Sequence, residues 1–235
     1  FTKNYSSICD IILNAVFFLK KELRMNLIDY IIKHKIVSIA RRIYGEDLRR
    51  LGQSLCRGGI RLMELTFDQN DPRHLSKTAE GIALLRDIDG LLIGAGTVLS
   101  MDQLRAAADS GAKYIVSPNT DVRIIEATKK LGLVSIPGAA TPTEILNAHQ
   151  AGADFIKIFP ALPLGFDYLK AICQPLNHLR FIANAGVAPE NIRTFFDMGF
   201  VGAGISTYLN DPALIMQQNF DELERRAVHL LQQLE

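Results

Sequence analysis

The sequence has no excess of charge of either sign, few cysteines and no spacing typical of a metal site. Lys and Arg total 26 against 25 Asp and Glu, so no strong positive field is present to hold a nucleic acid or an anionic membrane surface. The three cysteines are scattered, and an odd number fits reduced thiols in the cytoplasm better than a disulfide framework. The five histidines form neither an HxH nor an HExxH pattern. We therefore expect a cytoplasmic protein with a small soluble partner and with neither metal nor cofactor.

The chain also lacks an apolar run long enough to span a bilayer. The apolar stretch at residues 8–19 falls short of the roughly 20 residues that a spanning helix needs. Its leading end carries little positive charge and no small-residue cleavage pattern follows it, which argues against a targeting segment. We interpret residues 1–25 as an N-terminal extension, either a peripheral helix or a start-site artefact, and residues 26–235 as one domain.

From residue 35 onward, short apolar runs rich in β-formers alternate with amphipathic stretches every 20 to 25 residues or so. The eight candidate strands are IVSIA (36–40), RLMELTF (61–67), LLIGAGTV (91–98), YIVSP (114–118), LVSIPGA (133–139), FIKIFPA (155–161), LRFIANA (179–185) and FVGAGIS (200–206). Nearly continuous apolar strands are typical of a parallel sheet covered by helices on both faces. An open doubly wound sheet has a similar rhythm, but the segment after the first strand, SIARRIYGED, lacks a Gly-rich dinucleotide turn. The pattern favours an α/β fold with a single (β/α)8, or TIM, barrel.

Two ionisable residues lie in the middle of apolar strands. Side-chain alternation places Lys157 on one face of its strand with Phe155 and Phe159, and it places Glu64 on one face of its strand with apolar neighbours. If both faces line the barrel, the two side chains meet near the carboxyl ends of the strands, where such barrels hold their chemistry. The alternatives are a lysine that reaches solvent from a strand end and a simple buried ion pair.

A buried lysine near another cation supplies the neutral amine that attacks a carbonyl to give an imine. Arg41, at the end of the first strand, is a candidate for this neighbour and for a bidentate partner of a substrate carboxylate; a surface arginine is the alternative. The glycines and hydroxyls at strand ends, in GAGT (94–97), NAGV (184–187) and GAGIST (202–207), are candidate anion sites, although glycine also occurs wherever a backbone turns tightly.

Six motifs follow one another in a specific order: SIAR (38–41), GGIRLMELT (58–66), IGAGTVLS (93–100), VSPN (116–119), PGAATPTE (137–144) and KIFPA (157–161). Over residues 26–212, this series resembles the family of 2-keto-3-deoxy-6-phosphogluconate and 2-keto-3-deoxy-6-phosphogalactonate aldolases, together with 4-hydroxy-2-oxoglutarate aldolase. The resemblance implies a homotrimeric class I aldolase. Such an enzyme cleaves a 2-keto-3-deoxy sugar acid to pyruvate and an aldehyde, such as glyceraldehyde 3-phosphate, through a lysine Schiff base.

The resemblance also implies a role for individual residues. Lys157 matches the Schiff-base lysine and Glu64 matches the general acid and base. Arg41 matches an arginine that holds the pyruvate carboxylate, and Thr97 matches a threonine that contacts pyruvate. The remaining substrate-binding candidates are Thr141 in PGAATPTE and the phosphate-site positions Gly186, Ser206 and Thr207.

The sequence departs from the family pattern at two places. Asp68 stands where gluconate-type members usually carry an arginine, which favours the galactonate branch. In the phosphate loops, Ala185-Gly186 replaces a pair of glycines and Ser206-Thr207 replaces Gly-Ser, so both a phosphorylated and an unphosphorylated substrate remain candidates. Two other functions remain as alternatives: a phosphate-binding isomerase or epimerase that uses Glu64 and Lys157 as acid and base, and a barrel that binds a sugar acid without turnover.

Overall fold

The computed structural model describes residues 24–235. Most of the predicted N-terminal extension, residues 1–23, lies outside the described residues. The described part begins with helix α1, which covers residues 24–34. Between residues 24 and 235, no helix combines the length and the apolar character that crossing a membrane requires.

After α1, strands and helices alternate. The strands are β1 (Ile36–Ala40), β2 (Leu62–Thr66), β3 (Leu92–Gly96), β4 (Tyr114–Val116), β5 (Val134–Ile136), β6 (Gly138–Ala139), β7 (Ile156–Ile158), β8 (Phe181–Asn184) and β9 (Gly202–Ile205). The helices are α2 (Gly45–Arg57), α3 (His74–Leu85), α4 (Met101–Asp109), α5 (Val122–Lys130), α6 (Pro142–Gln150), α7 (Ala161–Leu164), α8 (Phe166–Cys173), α9 (Ile192–Asp197), α10 (Pro212–Met216) and α11 (Phe220–Gln232).

The strands form one parallel sheet in the order β5-β4-β3-β2-β1-β9-β8-β7-β6. The predicted strand at 133–139 is divided into β5 and β6 at Pro137, a residue that has no backbone N–H to donate to a ladder. Because β5 pairs with β4 while β6 pairs with β7, the sheet closes on itself at this interrupted strand. The predicted (β/α)8 barrel is confirmed, with its fifth strand in two pieces.

Alternate side chains of each strand point into the barrel, and those near the strand starts form a closed apolar cluster. This cluster includes Leu62, Tyr114 and Phe155, and Ile28 and Ile31 of α1 pack against it. Helix α1 therefore covers the end of the barrel at which the strands begin. The opposite end, formed by the carboxyl ends of the strands, is not covered by α1, and it is the end at which such barrels hold their functional sites.

The other strand face packs against the surrounding helices. Met63 and Leu65 of β2 and Ile156 and Ile158 of β7 belong to this outer core, together with the buried leucines of α2. Each fully buried side chain of this size contributes roughly 1.5–3 kcal/mol relative to an exposed one. The outer core is what holds the strands, and hence their inward-facing side chains, in register.

Three predicted helix starts are present with the expected caps. The Ser100 side chain accepts a hydrogen bond from the backbone N–H of Gln103, and that of Asp121 accepts one from Arg123. Thr141 and Glu144 form a capping box at α6. These caps begin their helices directly after the strands, so the loops at the carboxyl end of the barrel are short and defined.

Candidate active site

Lys157 and Glu64 both point into the barrel. Lys157 is only 3% exposed and Glu64 only 2%, and their strand neighbours two residues earlier, Phe155 and Leu62, belong to the interior cluster. The predicted alternation is confirmed for both strands. A lysine that reaches solvent along an apolar stem is ruled out by this burial.

The strand order places the two residues on opposite walls of the barrel. Three strands, β1, β9 and β8, separate β2 from β7, which is half of the circumference of an eight-position barrel. The salt bridges among residues 24–235 include neither Lys157 nor Glu64. Instead of forming a closed ion pair, the amine and the carboxylate face one another across the interior.

The surroundings of Lys157 favour the neutral amine. Burial lowers the pKa of Lys157, the Glu64 carboxylate opposes that change, and the positive charge of Arg41 lowers the pKa further. The Nζ atom also lies 5.1 Å from the centre of the Phe159 ring. Since desolvation has the largest effect, the neutral, nucleophilic form of the amine is more accessible than in an exposed lysine.

Arg41 directly follows β1 and is exposed at the carboxyl end of the barrel. Its influence on the pKa of Lys157 agrees with the prediction that it is a cationic neighbour of the amine. An exposed guanidinium beside a buried amine is well placed to bind a carboxylate that enters from solvent.

The glycines of β3 make room for interior side chains. A Cβ at Gly96 would lie 1.9 Å from Oε1 of Glu64, and a Cβ at Gly94 would lie 2.2 Å from the ring of Tyr114. Neither space tolerates a methyl group. The IGAG run therefore serves packing within the barrel, and the Glu64 carboxylate depends on Gly96 for its position.

Thr97, the residue after β3, has a backbone φ of +56°, which is rare for a β-branched residue. Its carbonyl accepts a hydrogen bond from Nε2 of Gln69 at 3.1 Å, and Gln69 in turn accepts one from Gln103 at 2.9 Å. The Gln103 side chain also accepts from the backbone N–H of Leu99 at 2.7 Å. Two glutamines thus hold the strained turn that carries the predicted pyruvate-contacting threonine.

The predicted phosphate-site residues follow the last two strands. Ala185 and Gly186, after β8, have φ of +76° and +81°, so the alanine adopts the backbone conformation that a glycine would favour. Ser206 and Thr207 follow β9. Within residues 24–235, the backbone N–H groups of Gly186, Ser206 and Thr207 have no hydrogen-bond acceptor.

Thr141 lies at the same end of the barrel, after β6, but its hydroxyl is engaged within its own helix cap. It accepts from the backbone N–H of Glu144 at 3.3 Å and donates to the Glu144 carboxylate at 2.9 Å. Hydrogen bonds from the backbone N–H of Ala140, which has the largest effect, and from the Thr141 hydroxyl lower the pKa of the Glu144 carboxyl. The geometry assigns Thr141 a structural contact, and a role for it in binding stays a prediction.

Asp68 forms a salt bridge of 2.8 Å with Arg42. The negative charge that distinguishes this position from gluconate-type relatives is therefore offset by the adjacent arginine. An anionic substrate at the carboxyl end of the barrel therefore meets an ion pair here and not an unpaired negative charge.

The sequence does not reveal several side chains near the site, because their importance depends on contacts in three dimensions. Alternation places Phe159 beside Lys157 but indicates no role for it, and the sequence presents Asn184 of β8, which is buried, only as part of a glycine-containing loop. Tyr114 gave no signal, since an aromatic residue in a strand is ordinary core.

Among residues 24–235, no three His, Cys, Asp or Glu side chains lie close enough together to hold a metal ion.

Comparison with known proteins identifies relatives for nearly the whole described chain. A family model described as KDPG and KHG aldolase matches residues 27–226. A probable 2-dehydro-3-deoxy-6-phosphogalactonate aldolase of Rhizobium meliloti is 33% identical over 76% of this chain and 83% of that protein. The 2-dehydro-3-deoxy-6-phosphogalactonate aldolase of Escherichia coli is 41% identical over 52% of this chain and 60% of that protein.

The fold agrees with these relatives. A solved structure described as native KDPGal superposes with a TM-score of 0.76 at 29% identity, covering 85% of this chain and 93% of the other. The family model spans most of the barrel, including both β2 and β7. The chain therefore belongs to the KDPG and KHG aldolase family.

Proposed function

We propose that Lys157 is the Schiff-base nucleophile of this aldolase and that Glu64 is its general acid and base. The enzyme cleaves a 2-keto-3-deoxy phosphorylated sugar acid to pyruvate and glyceraldehyde 3-phosphate. The observation that carries the assignment is the buried Lys157 amine, whose pKa is lowered by desolvation inside a barrel that also holds a buried carboxylate. A buried ammonium without a salt bridge is costly to stability, which favours a catalytic role for it.

In the proposed reaction, neutral Lys157 Nζ adds to C2 of the keto acid to give a carbinolamine. Loss of water, with proton transfer by Glu64 directly or through a water molecule, gives a protonated imine. Glu64 then accepts the proton of the C4 hydroxyl, the C3–C4 bond breaks, and its electron pair moves into the imine to form an enamine. The aldehyde leaves, C3 of the enamine is protonated, and hydrolysis of the imine releases pyruvate and free Lys157.

Arg41 is proposed to hold the substrate carboxylate, so that C2 stays aligned with Nζ. Its exposure at the carboxyl end of the barrel and its electrostatic effect on Lys157 support this role. Thr97, held in its strained turn by Gln69, is proposed to contact the pyruvate portion. Both residues act on the half of the substrate that is common to all members of the family.

Gly186, Ser206 and Thr207 are proposed to bind the distal phosphate through backbone N–H groups. These groups have no acceptor in the part of the chain that the structure describes, and the left-handed backbone at Ala185 supports a turn like that of a glycine pair. Thr141 is retained as a lesser candidate because its hydroxyl already serves the α6 cap.

The galactonate-type substrate is proposed over the gluconate type. Asp68 paired with Arg42 supports this choice, as do two relatives named as phosphogalactonate aldolases. The test is a coupled pyruvate assay with phosphorylated and unphosphorylated gluconate and galactonate substrates and with hydroxyglutarate. We expect the highest kcat/KM with the phosphorylated galactonate substrate. If none of these substrates released pyruvate, aldolase activity would be excluded.

The two alternative functions make different predictions in this assay and in chemical trapping. An isomerase or epimerase that uses Glu64 and Lys157 only as acid and base would release no pyruvate and would gain no adduct when borohydride is added with pyruvate. A barrel that binds without turnover would bind the keto acid in calorimetry and release no product. Membership of an aldolase family favours neither alternative.

The homotrimer and the cytoplasmic location are also proposals. Apolar side chains exposed at the starts of α4 and α5, namely Leu99, Met101 and Val122, support a contact between subunits on that side. Sedimentation equilibrium tests the trimer.

The cytoplasmic location is supported by the cysteines: Cys56 and Cys173 are free thiols, which fits a reducing compartment.

Arg41→Met is expected to shift the pH dependence of imine formation to higher pH. Removing the guanidinium removes a charge that lowers the pKa of Lys157, so the amine becomes neutral only at higher pH. The initial rate of borohydride trapping at saturating pyruvate, measured across pH, checks this. Arg49→Met, at an exposed position of α2, is the charge-matched control, and an equal shift in both variants would contradict a local role for Arg41.

Gly96→Ala is expected to lower kcat by about 100-fold, because an added Cβ would lie 1.9 Å from Oε1 of Glu64 and displace the carboxylate. Steady-state kinetics and thermal unfolding measure the effect on activity and on stability separately. In a Glu64→Gln background the same substitution should add little further loss of kcat. A full additional loss there would mean that Gly96 acts on something other than Glu64.

A further inference from the structure

Tyr114 is a buried polar side chain that the proposed mechanism does not use. Its ring lies in the interior cluster with an exposure of 0%, and its hydroxyl has no hydrogen-bond partner in the described part of the chain. A phenylalanine would fill the same space without burying an unpaired hydroxyl, which is costly. The hydroxyl therefore calls for a partner that the protein atoms alone do not supply.

The strand register places Tyr114 at the same level of the barrel as Glu64, with β3 between their two strands. Tyr114 of β4 pairs with Gly94 of β3, and Gly94 pairs with Glu64 of β2. The Cδ2, Cε2 and Cζ atoms of the ring occupy the space in which a Cβ of Gly94 would lie. The ring thus extends from β4 over the bare backbone of β3, toward the strand that carries Glu64.

The Glu64 carboxylate also lies over β3. Its Oε1 lies over Gly96, two residues beyond Gly94 and on the same face of β3. The negative charge of Glu64 adds to the effect of burial in raising the pKa of Tyr114 well above its usual value. The phenol therefore keeps its proton throughout the working range and is available as a hydrogen-bond donor.

We infer that Tyr114 is a positioning residue for the aldol reaction: its O–H binds the Glu64 carboxylate through one buried water molecule and fixes the orientation of that carboxylate for proton transfer. The inference rests on the proposed function of Glu64. The bridge is a water molecule because no direct hydrogen bond joins the two side chains, and the phenol and the carboxylate are two polar partners for it.

Besides Tyr114, the groups around Glu64 include the charged residues Lys157 and Arg41. Lys157 faces it from β7, Arg41 lies beyond the end of β1, β3 contributes only glycines at this level, and Tyr114 faces it from β4. Tyr114→Phe leaves Lys157 and Arg41 in place and removes a single oxygen atom. A change in proton transfer in this variant is therefore attributable to the phenol hydroxyl.

The test compares Tyr114→Phe with Tyr30→Phe in steady-state aldol cleavage across pH. Tyr30 donates its hydroxyl to the Gly90 carbonyl at 2.8 Å and lies on α1, at the opposite end of the barrel. For Tyr114→Phe we expect kcat to fall about tenfold, the scale of one hydrogen bond to a charged group, with KM within about twofold of the wild-type value. Tyr30→Phe should match the wild type.

A second comparison keeps this inference separate from the function on which it rests. Tyr114→Phe should have little further effect on kcat in a Glu64→Gln background, and it should still be labelled at Lys157 to the full extent by pyruvate and borohydride, which shows that the barrel is intact. Absence of labelling in the wild-type protein would overturn the proposed function. Normal labelling with unchanged kcat in Tyr114→Phe, or an undiminished loss in the Glu64→Gln background, would overturn the role of Tyr114 alone.

Discussion

Lys157→Ala is expected to reduce aldol cleavage by about four orders of magnitude or more, the scale of loss when the nucleophile of a covalent enzyme is removed. Without the amine there is no imine at C2, and the C3–C4 electron pair has no acceptor. A coupled pyruvate assay measures the loss. Lys170→Ala, at an exposed position of α8, is the matched control and should retain wild-type turnover.

Lys157→Met separates this chemical effect from a structural one. Methionine fills much of the same interior space, and replacing a buried charge by an apolar side chain is often neutral or stabilising. We therefore expect an inactive protein whose thermal stability equals or exceeds that of the wild type. Substantial turnover in either variant would show that another group performs the chemistry, whereas a strongly destabilised Lys157→Met would favour a structural role for the amine.

Glu64→Gln is expected to lower kcat by roughly 10²- to 10⁴-fold, the range of general acid–base catalysis. The amide keeps the shape of the carboxylate over Gly96 but cannot accept the C4 hydroxyl proton. Because Lys157 remains, slow imine formation should persist, so borohydride trapping with pyruvate should still give an adduct at a reduced rate. Single-turnover cleavage and trapping kinetics, measured together, separate the two steps.

The control for this variant is Glu80→Gln, at an exposed position of α3, which should be indistinguishable from the wild type. If Glu64→Gln cleaved substrate at the wild-type rate, the base would have to be another group or solvent. If the variant formed no adduct at all, Glu64 would be needed for the imine itself, and the division of labour proposed here would be wrong.

The sequence was sufficient to predict the barrel and the inward-facing positions of Lys157 and Glu64, because both depend on local patterns. Period-two alternation placed Lys157 and Glu64 on inward faces, and the helix caps at Ser100, Asp121 and Thr141 marked where strands gave way to helices. Each of these signals needs only the residues of one element and the rule that parallel strands share one reactive end. The burial of both side chains confirms that they lie inside the barrel.

The features that could not be predicted depend on contacts between elements. The break at Pro137 belongs to a strand whose two halves pair with different neighbours, and only closure of the sheet shows this. The pairing of Asp68 with Arg42 offsets a charge that the sequence alone presents as unpaired. In the sequence, Tyr114 cannot be distinguished from an ordinary core aromatic residue. Only the strand register shows that it pairs with Gly94, which in turn pairs with Glu64.

The most direct measurement is to reduce the protein with borohydride in the presence of pyruvate, digest it, and locate the modification by mass spectrometry. We expect one carboxyethyl group per chain, attached to Nζ of Lys157, in the peptide that contains β7. An adduct on a different lysine, or a protein that stays unmodified while it releases pyruvate from substrate, would contradict the assignment of the buried amine as the nucleophile.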